Sequence, residues 1–126
     1  MEAGNPELQQ LLALIGRVVD PQPSHGRVVV SRAVHPHSRE TLATYAAGFG
    51  AEIAEVRLEG GLTDAAALAQ AVDGETAAVF LQSPNFLGAV EDIEALGAAA
   101  KEHGALLVVA VDPMTLGVLK PPGECG

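Results

Sequence analysis

The sequence predicts a doubly wound α/β fold: a parallel sheet of about four strands with helices on both faces. Three observations predict it. Residues 77–113 read as strand, loop, helix, strand, with an apolar run at 77–81, a turn-rich loop at 82–88 and a second apolar run at 105–111. Between them Ile93, Leu96, Gly97 and Ala100 recur at i, i+3, i+4 and i+7, the spacing of one helix face. Neither apolar run alternates with polar residues, which suits strands covered on both sides. Upstream, two further strand-like runs are each followed by a helical pattern, so the order reads βαβαβαβ after a leading helix. A right-handed crossover then sets the loop at residues 83–88 and Asp112 at one carboxyl edge, where open α/β sheets place their ligands.

The elements follow in order. Asn5 can cap a helix over residues 6–18 with Pro6 at its first position, and Leu8, Leu11, Leu12 and Ile15 share one face. Residues 20–26 (DPQPSHG) form a connector. Residues 27–33 (RVVVSRA) are the first strand, left by a loop at residues 34–37. Ser38 can cap the next helix, whose buried face is expected to be Leu42, Tyr45, Ala46 and Phe49, with Gly48 and Gly50 ending it. Residues 52–58 alternate imperfectly, which suggests an edge strand with one wet side. Residues 59–61 (EGG) are a turn. Thr63 can cap a short helix with Asp64 set against its dipole; Ala65, Leu68, Ala69 and Val72 are expected to face inward, with Gly74 as the stop. Gly104 stands where a left-handed helix stop is cheapest. Residues 114–120 are of ambiguous type, and residues 121–126 are a turn that leads nowhere. Because the apolar strands imply a wider sheet, the chain is expected to be a piece of a longer polypeptide. The alternative is a complete small α/β domain with a ragged tail.

Composition narrows the function classes. The 126 residues suit at most one domain, and 48% hydrophobic content with 3% aromatics means an aliphatic core. The formal net charge is −9 and the seven basic residues are scattered, so nucleic acid is not an expected partner. No apolar run approaches the roughly 18 residues of a membrane span, and the N-terminus lacks the basic region of a secretory signal. The single cysteine, Cys125, cannot form an internal disulfide and suits a reducing, cytoplasmic compartment.

Candidate chemistry is sparse. His35 and His37 could chelate, but a metal site needs three or four ligands and no Cys/His cluster completes one, so no metal is expected. A histidine at the end of a strand could instead stack on a planar ligand, or simply sit in a surface loop. Asn85 can stabilise its own turn, and it also stands at the ligand edge. Asp112 ends a strand; it can cap the following loop through backbone N–H groups, or pair with a cationic ring nitrogen. There is no GxGxxG, no GxxxxGK[ST] and no GxSxG. Lys101 lies on a helix face beside Glu102, and Lys120 precedes two prolines; neither is placed to form a Schiff base. The residues by themselves end at a doubly wound α/β domain with a ligand edge, compatible with a free-standing small-molecule-binding module.

Three segments go further: SRAVHP (31–36), SPNFLG (83–88) and DPMTLGVLKPPGE (112–124). With the sequence around them, these closely resemble the P-protein of the glycine cleavage system, glycine dehydrogenase (decarboxylating). The likeness is to subunit 1 of the two-subunit bacterial type or to the N-terminal half of the long type. It covers about residues 27–126, with residues 1–26 standing apart as a leading helix and linker. The resemblance implies part of the large domain of a fold type I (aspartate-aminotransferase-like) pyridoxal-phosphate enzyme. It implies decarboxylation of glycine and transfer of the aminomethyl group to the lipoyl arm of the H-protein. His35, Asn85 and Asp112 fall on positions that contact pyridoxal phosphate in the catalytic subunit. The subunit 1 family lacks the cofactor lysine, so these three are expected to be retained geometry without catalytic residues. The cofactor is expected on a lysine-bearing subunit 2, not on this chain alone.

Overall fold

The computed structural model describes residues 26–125; the helix expected over residues 6–18 lies outside them. The elements run β1 (Arg27–Ser31), α1 (Pro36–Phe49), β2 (Glu52–Val56), β3 (Leu58–Glu59), β4 (Leu62–Thr63), α2 (Ala65–Ala71), β5 (Thr76–Gln82), α3 (Ile93–Glu102) and β6 (Leu106–Ala110), then short 3-10 turns at Pro113–Gly117 and Pro122–Glu124. Strands β1, β2, β5 and β6 form one parallel sheet in the order β2-β1-β5-β6. The chain leaves β1 toward β2, then returns past β1 to β5. The topological switch point therefore lies between β1 and β5, whose following helices, α1 and α3, cover opposite faces of the sheet.

Alternation along the central strands assigns each helix to a face. Val28, Val30 and Ala78 pack with Leu42 of α1 on one side. Val29, Val79 and Leu81 point the other way and pack with Leu68 and Val72 around α2 and with Ile93, Leu96 and Ala100 of α3. β1 and β5 are the buried centre, whereas every residue of β6 is only half-buried. β2 forms the far edge, as its imperfect alternation predicts.

Several local expectations shift. α1 begins two residues before Ser38, because Pro36 with its fixed φ enters the first position and the His35 ring nitrogen Nδ1 accepts from the His37 N–H as the cap. Leu42 and Ala46 are buried, but Tyr45 and Phe49 are 42% and 49% exposed, since α1 covers only part of its sheet face. Residues 57–63 do not extend β2. They fold into the hairpin β3–β4 on Gly60 and Gly61, whose φ of 59° and 82° are the pair of positive angles a tight two-residue hairpin turn requires. Thr63 is thereby taken into the ladder opposite Leu58, and Asp64 becomes the cap of α2, accepting from Ala67 N–H at 3.0 Å. Ala65 and Ala69 are exposed; Ala67 and Ala71 pack against the core instead. α2 ends at Val72 rather than at Gly74. The four apolar residues expected on α3 are all buried, and Gly104 follows it at φ 70°.

Candidate functional site

The carboxyl edge is built from the loops after β1, β5 and β6, stitched together by backbone hydrogen bonds. Phe86 N–H donates to the Ala33 carbonyl at 2.8 Å, joining the first loop to the second. Ser83 N–H donates to the Ala110 carbonyl at 3.0 Å, joining the second to the end of β6. His35, Asn85 and Asp112 thus belong to one edge, as the topology requires, but their environments differ.

His35 is exposed. Its backbone N–H donates to Gln82 Oε1 at 2.8 Å, and its ring meets the edge of Phe86 at a centroid distance of 5.0 Å. Because Nδ1 accepts from His37 N–H, Nε2 is the nitrogen left to carry the ring proton. Asp112 is exposed as well and caps the turn behind it: Oδ1 accepts from Met114 N–H at 3.0 Å, and its carbonyl accepts from the Thr115 hydroxyl at 2.7 Å.

Asn85 is buried, with 4% of its surface exposed, and its amide is fully engaged inside the protein. Oδ1 accepts from the backbone N–H groups of Leu87 and Ala89, at 3.0 and 3.1 Å. Nδ2 donates to the Gly61 carbonyl at 2.9 Å and to Glu91 Oε1 at 3.0 Å. Two backbone donors on one side and a carbonyl and carboxylate on the other fix the amide's orientation.

Glu91, which the sequence reading did not single out, is the centre of this buried cluster at 6% exposure. It accepts from Thr63 N–H (3.0 Å to Oε1, 3.2 Å to Oε2) and from the Thr63 hydroxyl at 2.8 Å. The Thr63 hydroxyl lies 2.6 Å from that of Ser31, whose oxygen also accepts from Ala33 N–H at 3.1 Å. Glu91 N–H donates to the Ser83 hydroxyl at 3.1 Å. The one sequence cue was an acid placed immediately before Asp92, which itself caps α3 through Ala95 N–H. A second carboxylate there is surplus to capping.

Charges around this edge are paired at the surface. The backbone N–H of Ala67, helped by the Arg57 guanidinium, holds the Asp64 carboxyl below its usual range. The hydrogen bond from Lys120 to Glu94, at 3.1 Å, raises the lysine. A cleft of about 250 Å³ lies on the flank between the first turn of α3 and the 3-10 turns, lined by Asp92, Glu94, Thr115, Lys120 and Cys125 among others. His35, Asn85 and Asp112 do not line it, but it shares Ser83, Val90, Glu91 and Val111 with the loops of this edge. Among the described residues no group of three His, Cys, Asp or Glu side chains could hold a metal ion, and no helix is long and apolar enough to cross a membrane.

Comparison with known proteins agrees with this architecture. Residues 12–126 match the family described as "Glycine cleavage system P-protein", which extends the resemblance upstream of Arg27. A relative from Brevibacillus brevis named "Probable glycine dehydrogenase (decarboxylating) subunit 1" is 50% identical over 101 residues, covering 79% of this chain and 22% of its own length. One of the same name from Lysinibacillus sphaericus is 44% identical over 115 residues, covering 91% and 26%. The crystal structure of a glycine decarboxylase (P-protein) of the glycine cleavage system in inhibitor-bound form superposes with a TM-score of 0.79 at 41% identity, over 93% of this chain and 26% of that one. A Thermus thermophilus aspartate aminotransferase variant follows at 0.73 and 26% identity, over 94% and 34%. The sheet and its helices are those of the fold type I, aspartate-aminotransferase-like enzymes. The chain spans about a quarter of the length of the curated relatives it matches. It belongs to the glycine cleavage system P-protein family.

Proposed function

We propose that this chain is part of the non-catalytic subunit 1 of a glycine dehydrogenase (aminomethyl-transferring), with residues 27–126 contributing a portion of its large domain and residues 1–26 a leading segment. In this reading the assembled enzyme decarboxylates glycine and passes the aminomethyl group to the lipoyl H-protein in the cytoplasm, and the cofactor lysine comes from subunit 2. What supports it is the match to relatives named "Probable glycine dehydrogenase (decarboxylating) subunit 1", beside an imidazole and a carboxylate at the carboxyl edge. The chain's two lysines lie elsewhere. Lys101 is in the last turn of α3, which feeds β6 from the amino edge of the sheet, and Lys120 is bonded to Glu94 on the flank.

These residues fit pyridoxal phosphate in part. Asp112 offers a carboxylate for a ring nitrogen and His35 an aromatic face, whereas the Asn85 amide is already saturated inside the protein. When bound, the cofactor supplies an electron sink. On this chain's side the residues shape and line the edge, and attachment falls to the partner. Exposed apolar side chains surround that edge: Leu62 on the hairpin, Phe86, Leu87 and Val90 after β5, and Met114 and Val118 after β6. Such a rim suits an interface with another subunit.

The test is reconstitution. Subunit 1 containing this chain, mixed with a lysine-bearing subunit 2 and lipoyl H-protein, is expected to support glycine-dependent exchange of carbon dioxide, and the same subunit alone with pyridoxal phosphate is expected to show no absorbance of a lysine-bound cofactor. Such absorbance in the isolated subunit would overturn the division of labour.

A further inference from the structure

We infer that Glu91 is the positioning residue of the carboxyl edge, one buried carboxylate that sets the loop carrying His35, the loop carrying Asn85 and Phe86, and the hairpin β3–β4 in register with one another. The inference rests on the proposed reading only in taking this edge as the working face.

Hydrogen accounting carries it. Oε1 of Glu91 receives three donors: the Thr63 amide, the Thr63 hydroxyl and the Asn85 side-chain amide. Since the Thr63 proton lies on Glu91, Thr63 must accept at its oxygen, and the Ser31 hydroxyl is therefore the donor in their 2.6 Å contact. The Ser31 oxygen is then oriented to accept from Ala33 N–H, which fixes the first residues of the loop leading to His35. In the other direction, holding Nδ2 of Asn85 keeps its oxygen on the Leu87 and Ala89 amides, and so keeps the turn that places Phe86 N–H on the Ala33 carbonyl and the Phe86 ring against His35. Both routes from the carboxylate end at the same histidine.

The residue type is also explained. The donors converging on Glu91 are neutral, and no Arg, Lys or His among the described residues pairs with it. A carboxylate presents acceptors at both oxygens. An amide could keep the Oε1 bonds but would turn its NH2 toward the Thr63 N–H that lies 3.2 Å from Oε2, donor facing donor.

The experiment is NMR on the intact chain, reading the His35 ring-proton shifts set by the Phe86 ring and the hydrogen exchange of the Ala33, Leu87 and Ala89 amides. Glu91→Ala is expected to move the His35 signals toward those of a Phe86→Ala chain and to speed exchange at Leu87 and Ala89 by about tenfold or more. Glu91→Gln should move both readouts part of the way. Asp92→Ala, which removes the neighbouring α3 cap, should lower stability while leaving the His35 signals in place. Native His35 signals and native exchange in a folded Glu91→Ala chain would overturn the inference. If that chain does not fold, native values in Glu91→Gln would do the same. Loss of the His35 signature in a chain whose parent never supports carbon dioxide exchange with subunit 2 would defeat the proposed function and leave the positioning role standing.

Discussion

Gly97 offers the sharpest test of how α3 meets the sheet. It lies in the middle of α3 on the buried face, where alanine would raise helix stability by about 1 kcal/mol. A Cβ built there comes within 2.7 Å of Leu107 Cδ2 on β6, and 3.9 and 4.0 Å from Leu107 Cγ and Cδ1. An ordinary carbon–carbon contact is roughly 3.5–4.0 Å, so one methyl must yield by about 1 Å while the rest of the contact is normal. Leu107 is half-buried and can turn, at the roughly 0.5–1.5 kcal/mol of a displaced rotamer. The two terms nearly cancel, and Gly97→Ala alone is expected to change stability by less than about 0.5 kcal/mol. In a Leu107→Ala background the obstructing methyl is gone, and Gly97→Ala should then stabilise by the full amount, about 1 kcal/mol. The double-mutant cycle thus predicts a coupling of about 1 kcal/mol, read from urea midpoints or as a Tm difference of roughly 4–8 °C. Equal effects of Gly97→Ala in the two backgrounds would refute the close approach of α3 to β6.

Three further outcomes are expected. Asn85→Ala removes four hydrogen bonds and leaves the Leu87 and Ala89 amides and the Gly61 carbonyl to find water, so it should destabilise by about 2–4 kcal/mol in urea denaturation. Asp64, Asp73 and Glu55 titrate below their usual ranges: Asp64 chiefly through the Ala67 amide, Asp73 through the Glu75 amide, and Glu55 because bonds from Arg39 and Arg32 outweigh its burial. Their folded-state pKa values are depressed, so their stabilisation is present above the ordinary carboxylate range and is lost as pH falls through the lowered values. The urea midpoint should therefore drop below about pH 4, and Asp64→Asn should lower it at neutral pH while flattening that acid limb. Lys120→Ala should leave glycine-dependent exchange with subunit 2 intact, and borohydride treatment of the complex with pyridoxal phosphate should label the partner rather than Lys120, as mass spectrometry of the digested subunits would show.

What the sequence displayed well was the spacing within α3 and along the central strands. The α3 stripe, the Gly104 stop and the two unbroken apolar runs each follow from spacing that a single element imposes on itself, and the parallel direction of the strands follows from connections long enough to hold a helix. The misplaced caps show where that reasoning weakens. Ser38 and Thr63 are both good N-cap types, but a cap is decided by which residue leaves the helical conformation first. Pro36 settled that for α1, and pairing in a hairpin settled it for α2 by engaging Thr63 elsewhere. The hairpin itself was legible only as a turn, because two-residue strands carry no period to read. Tyr45 and Phe49 fit the helical stripe and are still exposed, since the stripe tells which face is apolar and not how much of the chain is there to cover it.

The Glu91 cluster was out of reach for a different reason. Its members, Ser31, Thr63, Ser83, Asn85 and Glu91, come from a strand end, a hairpin and two ends of one loop, and their meeting depends on how β4 lies against the loop after β5. No spacing rule encodes that approach. It also changes what Asn85 means: an amide at the ligand edge of a sheet invites a contact with ligand, but four internal partners leave it to hold the loop's shape. The groups that this edge still presents outward are His35, Asp112 and the apolar side chains around them. Under the proposed function, this imidazole and carboxylate in their apolar rim form one wall of a site whose amine comes from the surface that meets it.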